Sequence, residues 1–336
     1  MQPTSSEQFD ASISGAVPGV EEIRDGIFAF GMASAPHGGP TYTLSYVVLD
    51  RTGAPHLIDP ATDSVVNWDT LVRVLAQFSL SPADVATITV THLHPDHLGM
   101  AERVHSASGA PIVMHRREQL AVEEILGDTA DSPQALAAQL DGWGMPEDAR
   151  SGVRTLGHVG AELPERGADV LLDDGDRLDI PGRELLAIHT PGHTPGHLCI
   201  RDVDESVLFS GDHVLPTLFS GIGLGGPTST NPLADYLGAL RRVAAFDDHE
   251  VLPGHGYRFR GLAGRCQTIE AHHRRRSAEV VAALEARPDA SVWEIAGGLT
   301  WSLGWENLTG LYRQSALTQT AMHMEFAKTQ AQLPQN

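Results

Sequence analysis

The stretch "THLHPDHLGM" at positions 91–100 constrains this chain more than any other. It follows "VATITV" (85–90), which reads as an apolar strand, and precedes "LGMAERVHSASG", which reads as a helix. His92, His94, Asp96 and His97 therefore crowd onto one strand-to-helix connection. Histidine makes up 17 of the 336 residues. At that frequency an H-x-H-x-D-H run arises by chance in well under one of roughly 100 such chains. Coordination gives a physical reason for the crowding, because neutral imidazole and carboxylate are good ligands for Zn²⁺ and similar divalent ions. His92 and His94 alternate in an extended stretch, so they point to one side and can clamp one ion. Asp96 and His97 follow the turn at Pro95 and can face a second ion. Four ligands cannot complete two sites, so the rest of the chain must supply more.

Further candidates sit where later strands end. "TPGHTPGH" (190–197) follows "ELLAIHT", "SGD" (210–212) follows "SVLF", and "PGHG" (253–256) follows "EVL". They add His193, Asp212 and His255, for seven candidate ligands. The neighbouring glycines let the backbone turn sharply and approach closely.

Taken in order, "THLHPDH", "TPGHTPGH", "FSGD" and "LPGHG" resemble the motifs of the metallo-β-lactamase-fold hydrolases over about residues 20–260. The resemblance implies an α/β fold, a four-layer αββα sandwich with a dinuclear metal site at one edge. It implies that His92, His94 and His193 bind the first metal. Asp96, His97 and His255 would bind the second, and Asp212 would bridge the two. His197 would hydrogen-bond and orient the loop, and His189 receives no role. The full carboxylate-bridged set resembles the glyoxalase II, lactonase and RNase Z type, and within it the glyoxalase II, thioesterase and lactonase-like branch is expected. Classical β-lactamases of this fold often carry a cysteine ligand, and neither Cys199 nor Cys266 falls in a motif. One redox branch has Glu in place of the second histidine, so His94 favours hydrolysis.

The implied cofactor is a pair of divalent ions, with Zn²⁺ expected first and iron or manganese as alternatives. The implied reaction is attack of a metal-bridging hydroxide on a (thio)ester carbonyl. Asp96 and Asp212 are the expected catalytic carboxylates, Asp96 as a proton shuttle to the leaving group. No G-x-S-x-G supports a serine hydrolase.

Expected organisation is a loose arm over 1–20, a catalytic domain over 21–261 and a helical module over 262–336, the last resembling the winged-helix-like module of the glyoxalase- and thioesterase-like subgroup. Residues 116–160 read as a helical insert, either a lid over the site or ordinary covering helices. The loops 34–43 and 216–226 and this insert are expected to shape the pocket. They are apolar and glycine-rich, which suits an acyl, aryl or lactone group better than a polyphosphate. A small-molecule acyl thioester of coenzyme A, glutathione or a carrier protein is therefore the first expectation. A lactone of the quorum-quenching type is second and a phosphodiester third. A non-catalytic metal-binding protein ranks last, since all seven ligands are kept.

A formal charge of −20 argues against nucleic acid, although "HHRRRS" (272–277) is a local basic cluster. That cluster reads instead as a helix packing near the site or at a homodimer interface. Two cysteines are too few for a disulfide framework, so free thiols are expected. With no signal-like start and no apolar run of roughly 20 residues, a soluble cytoplasmic protein without membrane contact is expected.

Overall fold

The computed structural model describes residues 1–34, 40–127, 133–151, 153, 163, 166–226, 228–301 and 303–332. Parts of two expected pocket segments, 34–43 and 116–160, lie outside the described residues.

Two mixed sheets pack face to face. The seven-stranded sheet runs in chain order through β2 (Glu21–Arg24), β3 (Ile27–Ala33), β4 (Tyr42–Leu49), β5 (Pro55–Ile58), β6 (Thr87–Thr89), β7 (Ile112–His115) and β8 (Val170–Leu172). The six-stranded sheet contains β1 (Gln2–Pro3), β9 (Leu185–His189), β10 (Leu198–Asp202), β11 (Val207–Gly211), β12 (Glu250–Pro253) and β13 (Phe259–Arg260), in the order β1-β13-β12-β11-β10-β9.

The inner strands such as β3, β4 and β11 are largely apolar because both faces are covered. On β4, Leu44, Tyr46 and Val48 point between the sheets, where they meet Leu185, Leu198, Ile200, Val207 and Phe209 of the other sheet. Val47 points the other way, into a cluster with Leu71 and Leu75 of α2 (Val65–Ala76) and Val104 of α4 (Ala101–Ser108). A one-turn helix, α3 (Pro95–Leu98), precedes α4. On the outer face of the second sheet, Cys199, Leu208 and Val251 meet Leu233, Leu237 and Leu240 of α7 (Pro232–Val243). Asn231 caps α7 by accepting from the Leu233 and Ala234 amides, and Pro232 opens its first turn. The helix carries the crossover between β11 and β12, which pair in parallel. The layers are thus helix, sheet, sheet, helix.

Several expectations need correction. Residues 1–20 are not a loose arm. Gln2 and Pro3 pair antiparallel with Arg260 and Phe259, and α1 (Ser6–Ser14) follows, capped by Ser5 on the Gln8 amide. Beyond "EVLPGHG" one more short strand follows, β13. After β8 the chain makes one isolated bridge, Arg177 to Leu186, before β9.

The segment from residue 116 holds α5 (Arg116–Leu126) and α6 (Pro133–Gly142). Leu140 of α6 and Met145 cluster with Ala296 and Leu317. Those last two belong to α9 (Val292–Gly298) and α10 (Gly310–Gln332), which with α8 (Leu262–Ala286) form the C-terminal helical region. Among the described residues of 262–332 there is no strand, hence no wing. Cys199 and Cys266 are free thiols, both buried. No helix of the described residues is long and apolar enough to cross a membrane.

Candidate metal centre

The candidate ligands gather where the two sheets meet at one end. The Leu44 amide of one sheet donates to Gly254 O of the other at 2.7 Å, and the Leu198 amide donates to Thr91 O at 2.8 Å. These bonds bring the ends of β6, β9, β11 and β12 together. All seven expected ligands are present in three overlapping groups, whose ligand atoms lie within 4.8 Å of one another. The groups are His92/His94/His193, His92/His97/Asp212 and Asp96/His97/His255.

In the first group, His92 Nε2 lies 3.0 Å from His94 Nδ1, and His193 Nε2 lies 3.3 and 3.1 Å from those two atoms. Each ring spends its proton on the far side. His94 Nε2 donates to Leu224 O at 3.1 Å and His193 Nδ1 to Gly221 O at 2.6 Å. Thr91 Oγ1 donates to Asp59 at 2.8 Å, so it accepts from His92 Nδ1 at 3.0 Å. Three bare lone pairs are left facing one another, a repulsive arrangement without a cation. A tetrahedral Zn–N shell at about 2.0–2.1 Å requires N···N separations of about 3.3 Å, close to those observed. The donor set therefore fits a divalent metal ion.

The second group is built differently. His97 Nδ1 donates to Asp59 Oδ2 at 2.8 Å and His255 Nδ1 to Tyr42 O at 2.8 Å. Their Nε2 atoms face each other at 3.4 Å. Asp96 Oδ2 lies 3.2 Å from His255 Nε2 and 3.9 Å from His97 Nε2. Asp212 stands between the groups. Its Oδ1 is 3.6 and 3.5 Å from His97 and His255, and its Oδ2 is 3.7 Å from His193. That split suits a bridging carboxylate.

The electrostatics separate the two halves. Burial, reinforced by neighbouring imidazoles, holds His92 well below the usual histidine range. Burial also lowers His94 and brings His193 down to about 4. His255 moves the other way: burial opposes its charge, but Asp212 and Asp96 raise it well above the ordinary value. His97 is raised against burial by Asp59, Asp96 and Asp212. For Asp96 and Asp212, burial is outweighed by the facing imidazoles, which hold both carboxyls well below the usual range.

His197 lies outside the three groups. Its Nδ1 donates to Thr190 Oγ1 at 2.8 Å and its Nε2 accepts from the Asp212 amide at 3.1 Å, so it fixes the backbone of the bridging residue. His189 stacks on His115 with centroids 4.0 Å apart and hydrogen-bonds Pro195 O, away from the ligands.

Two supporting carboxylates escape the sequence reading. Asp59, at the end of β5 with a positive φ of 52°, accepts from His97 and from the amide and hydroxyl of Thr91. The signal available was the acid closing an apolar strand in "HLIDP". Glu118, fully buried in the first turn of α5, accepts from the Leu93 and Gly196 amides, each at 2.7 Å. Burial raises its carboxyl to about 7 against those hydrogen bonds.

The family model of the metallo-beta-lactamase superfamily matches residues 38–255, a span that holds every ligand above. The chain belongs to the metallo-β-lactamase superfamily. A relative from Bacillus subtilis (strain 168), named "Probable metallo-hydrolase YflN", is 28% identical over 271 residues, covering 75% of this chain and 95% of its own. The uncharacterized protein Rv2581c of Mycobacterium tuberculosis (strain H37Rv) is 28% identical over 218 residues, covering 63% and 84%. Among solved structures, the metallo-β-lactamase family protein TTHA1429 from Thermus thermophilus superposes with a TM-score of 0.73 at 24% identity, over 92% of this chain and 95% of that one. A β-lactamase domain protein from Burkholderia ambifaria gives 0.72 at 22%, over 93% and 89%. These two likenesses extend the metallo-β-lactamase fold beyond the matched span, into the C-terminal helices.

Proposed function

We propose that this protein is a hydrolase dependent on two divalent metal ions, Zn²⁺ first among the candidates, acting on an acyl thioester. The observation that carries the hydrolase reading is Asp212, which presents one oxygen to the His97/His255 pair and the other to His193. Bound there, two divalent cations would supply an acidified water and a Lewis acid for the carbonyl oxygen.

The chain's own groups supply the rest. Asp212 and the six other ligands fix the spacing of the reacting centre, and their outer hydrogen bonds stop the rings from turning. Asp96 is the carboxylate with solvent access: its side chain is 30% exposed, against 12% for Asp212 and 2% for Asp59. That exposure supports our assigning it the transfer of a proton to a departing thiolate or alkoxide.

The thioester preference rests on the loop 216–226. It supplies the carbonyls of Gly221 and Leu224 to His193 and His94. A few residues away it exposes Leu218 and Phe219, at 48% and 42%. Phe219 stacks on His272 of α8 with centroids 4.0 Å apart, and Arg265 donates to the Leu215 and Leu218 carbonyls. An exposed apolar pair on the loop that anchors two of the candidate ligands suits an acyl chain better than a polyanion.

The test is a panel of acyl-CoA thioesters, homoserine lactones and bis(p-nitrophenyl) phosphate with metal-loaded protein. Thioester turnover is expected. Lactone turnover alone would move the assignment to a lactonase. Phosphodiester cleavage alone would refute both carbonyl readings, and no turnover with any ester would refute the hydrolase.

A further inference from the structure

We propose that Glu118 is a positioning residue that locks the first metal site, by clamping together the two loops that carry its three histidines. The Leu93 amide lies between His92 and His94. The Gly196 amide lies three residues past His193. Each donates to a different oxygen of the one carboxylate, Oε1 for Leu93 and Oε2 for Gly196, both at 2.7 Å. The loops come from different sheets, so Glu118 is a side-chain link between two segments that must hold three imidazole nitrogens in register.

The fit around the clamp is close. A methyl group on Gly196 would lie 2.2 Å from the Glu118 backbone nitrogen, so the His193 loop rests flat on the start of α5. Glu118 is 0% exposed, and among the described residues no cation pairs with it. A buried carboxylate is costly without such a partner, so a role confined to filling space would be better met by an apolar side chain. Two parallel N–H donors require two acceptor oxygens. Glutamate supplies both, whereas glutamine supplies one and turns an NH₂ toward the other amide.

The second site has its own support. Asp59 and the Tyr42 carbonyl hold His97 and His255, whereas Glu118 accepts from the Leu93 and Gly196 amides. The clamp should therefore act on one metal and spare the other. It also gives the start of the insert at residue 116 a purpose, since α5 becomes a buttress beneath the ligand loops.

The inference rests on the reading of His92, His94 and His193 as a metal site, and the experiment separates the two. Zinc is titrated into metal-free protein against a chromophoric chelator, for wild type, Glu118→Gln and His255→Ala, the last identifying which binding step belongs to the second site. Two steps in wild type uphold the metal reading, and none would refute it whatever Glu118 does. With two steps in wild type, Glu118→Gln is expected to weaken the first-site step by about 10- to 100-fold and to leave the second unchanged. Equal weakening of both steps, or unchanged affinities with a lower melting temperature of the metal-free protein, would make Glu118 a general structural residue and overturn the clamp. Should Glu118→Gln not fold, hydrogen exchange in metal-free wild type decides. Slow exchange of both the Leu93 and Gly196 amides is expected, and exchange at the rate of open loops overturns the proposal.

Discussion

His255 Nε2 lies 3.2 Å from Asp96 Oδ2, and Asp212 Oδ1 faces the same nitrogen at 3.5 Å. In metal-free protein this imidazole is thus held charged by two carboxylates. The ring raised above its unfolded value contributes stability that is fully present below about pH 6.5 and lost as pH rises through its higher folded value. Asp96 and Asp212, both lowered, contribute stability present above about pH 3.9 and lost as pH falls toward their folded values. The site without metal is best paired between these limits. A metal entering the second group must displace protons from His255 and His97, whereas His92, His94 and His193 are already neutral. Calorimetric zinc titrations near pH 6.5, in buffers of different ionisation enthalpy, should show proton release in one binding step and little in the other. Equal release from both steps would contradict the asymmetry.

Asp212→Ala should abolish turnover, by on the order of 10³-fold or more, with the fold retained. Retention is expected because the local backbone is held independently: the Asp212 amide donates to His197 and its carbonyl accepts from Ser220. Steady-state kinetics beside circular dichroism checks both halves, and near-normal activity would end the bridging role.

Gly254→Ala should behave as an active-site mutation although glycine offers no ligand. Its added methyl would stand 2.6 Å from Asp212 Oδ1 and 2.7 Å from the His97 ring. Displacing either by a few tenths of an ångström or more should lower kcat/KM by on the order of 10²-fold. A variant with wild-type kinetics would show that the centre tolerates movement there.

Leu140→Ala tests the link between α6 and the C-terminal helices. Leu140 is 3% exposed and packs with Met145, Ala296 and Leu317. Its loss should cost about 2–4 kcal/mol in chemical denaturation. Zinc stoichiometry should stay unchanged, because none of these residues touches a ligand loop. A change below about 0.5 kcal/mol would mean that the cluster is not a working interface.

The candidate ligands were legible because histidine and aspartate are conspicuous at the ends of apolar strands, where side chains of neighbouring strands converge. Their supports were not. "RREQLAVEEIL" contains Glu118, Glu123 and Glu124, and its pattern alone does not tell the buried acid from the two exposed ones. Asp59 looked like the polar end of a strand. The start of the chain was misread for another reason: α1 has few apolar residues, and β1 exists only through its pairing with Arg260 and Phe259. A partner more than two hundred positions away leaves no local trace. The helical character of the C-terminal region was readable from its periodicity, whereas its contact with α6 depends on tertiary packing.

That pairing of Gln2 and Pro3 with Arg260 and Phe259 also sets a timetable. During synthesis Gln2 and Pro3 cannot reach their place until residue 260 has followed, on the order of tens of seconds later at ordinary elongation rates. Until then the outer flank of that sheet is an unpaired strand edge, open to the neighbouring nascent chain.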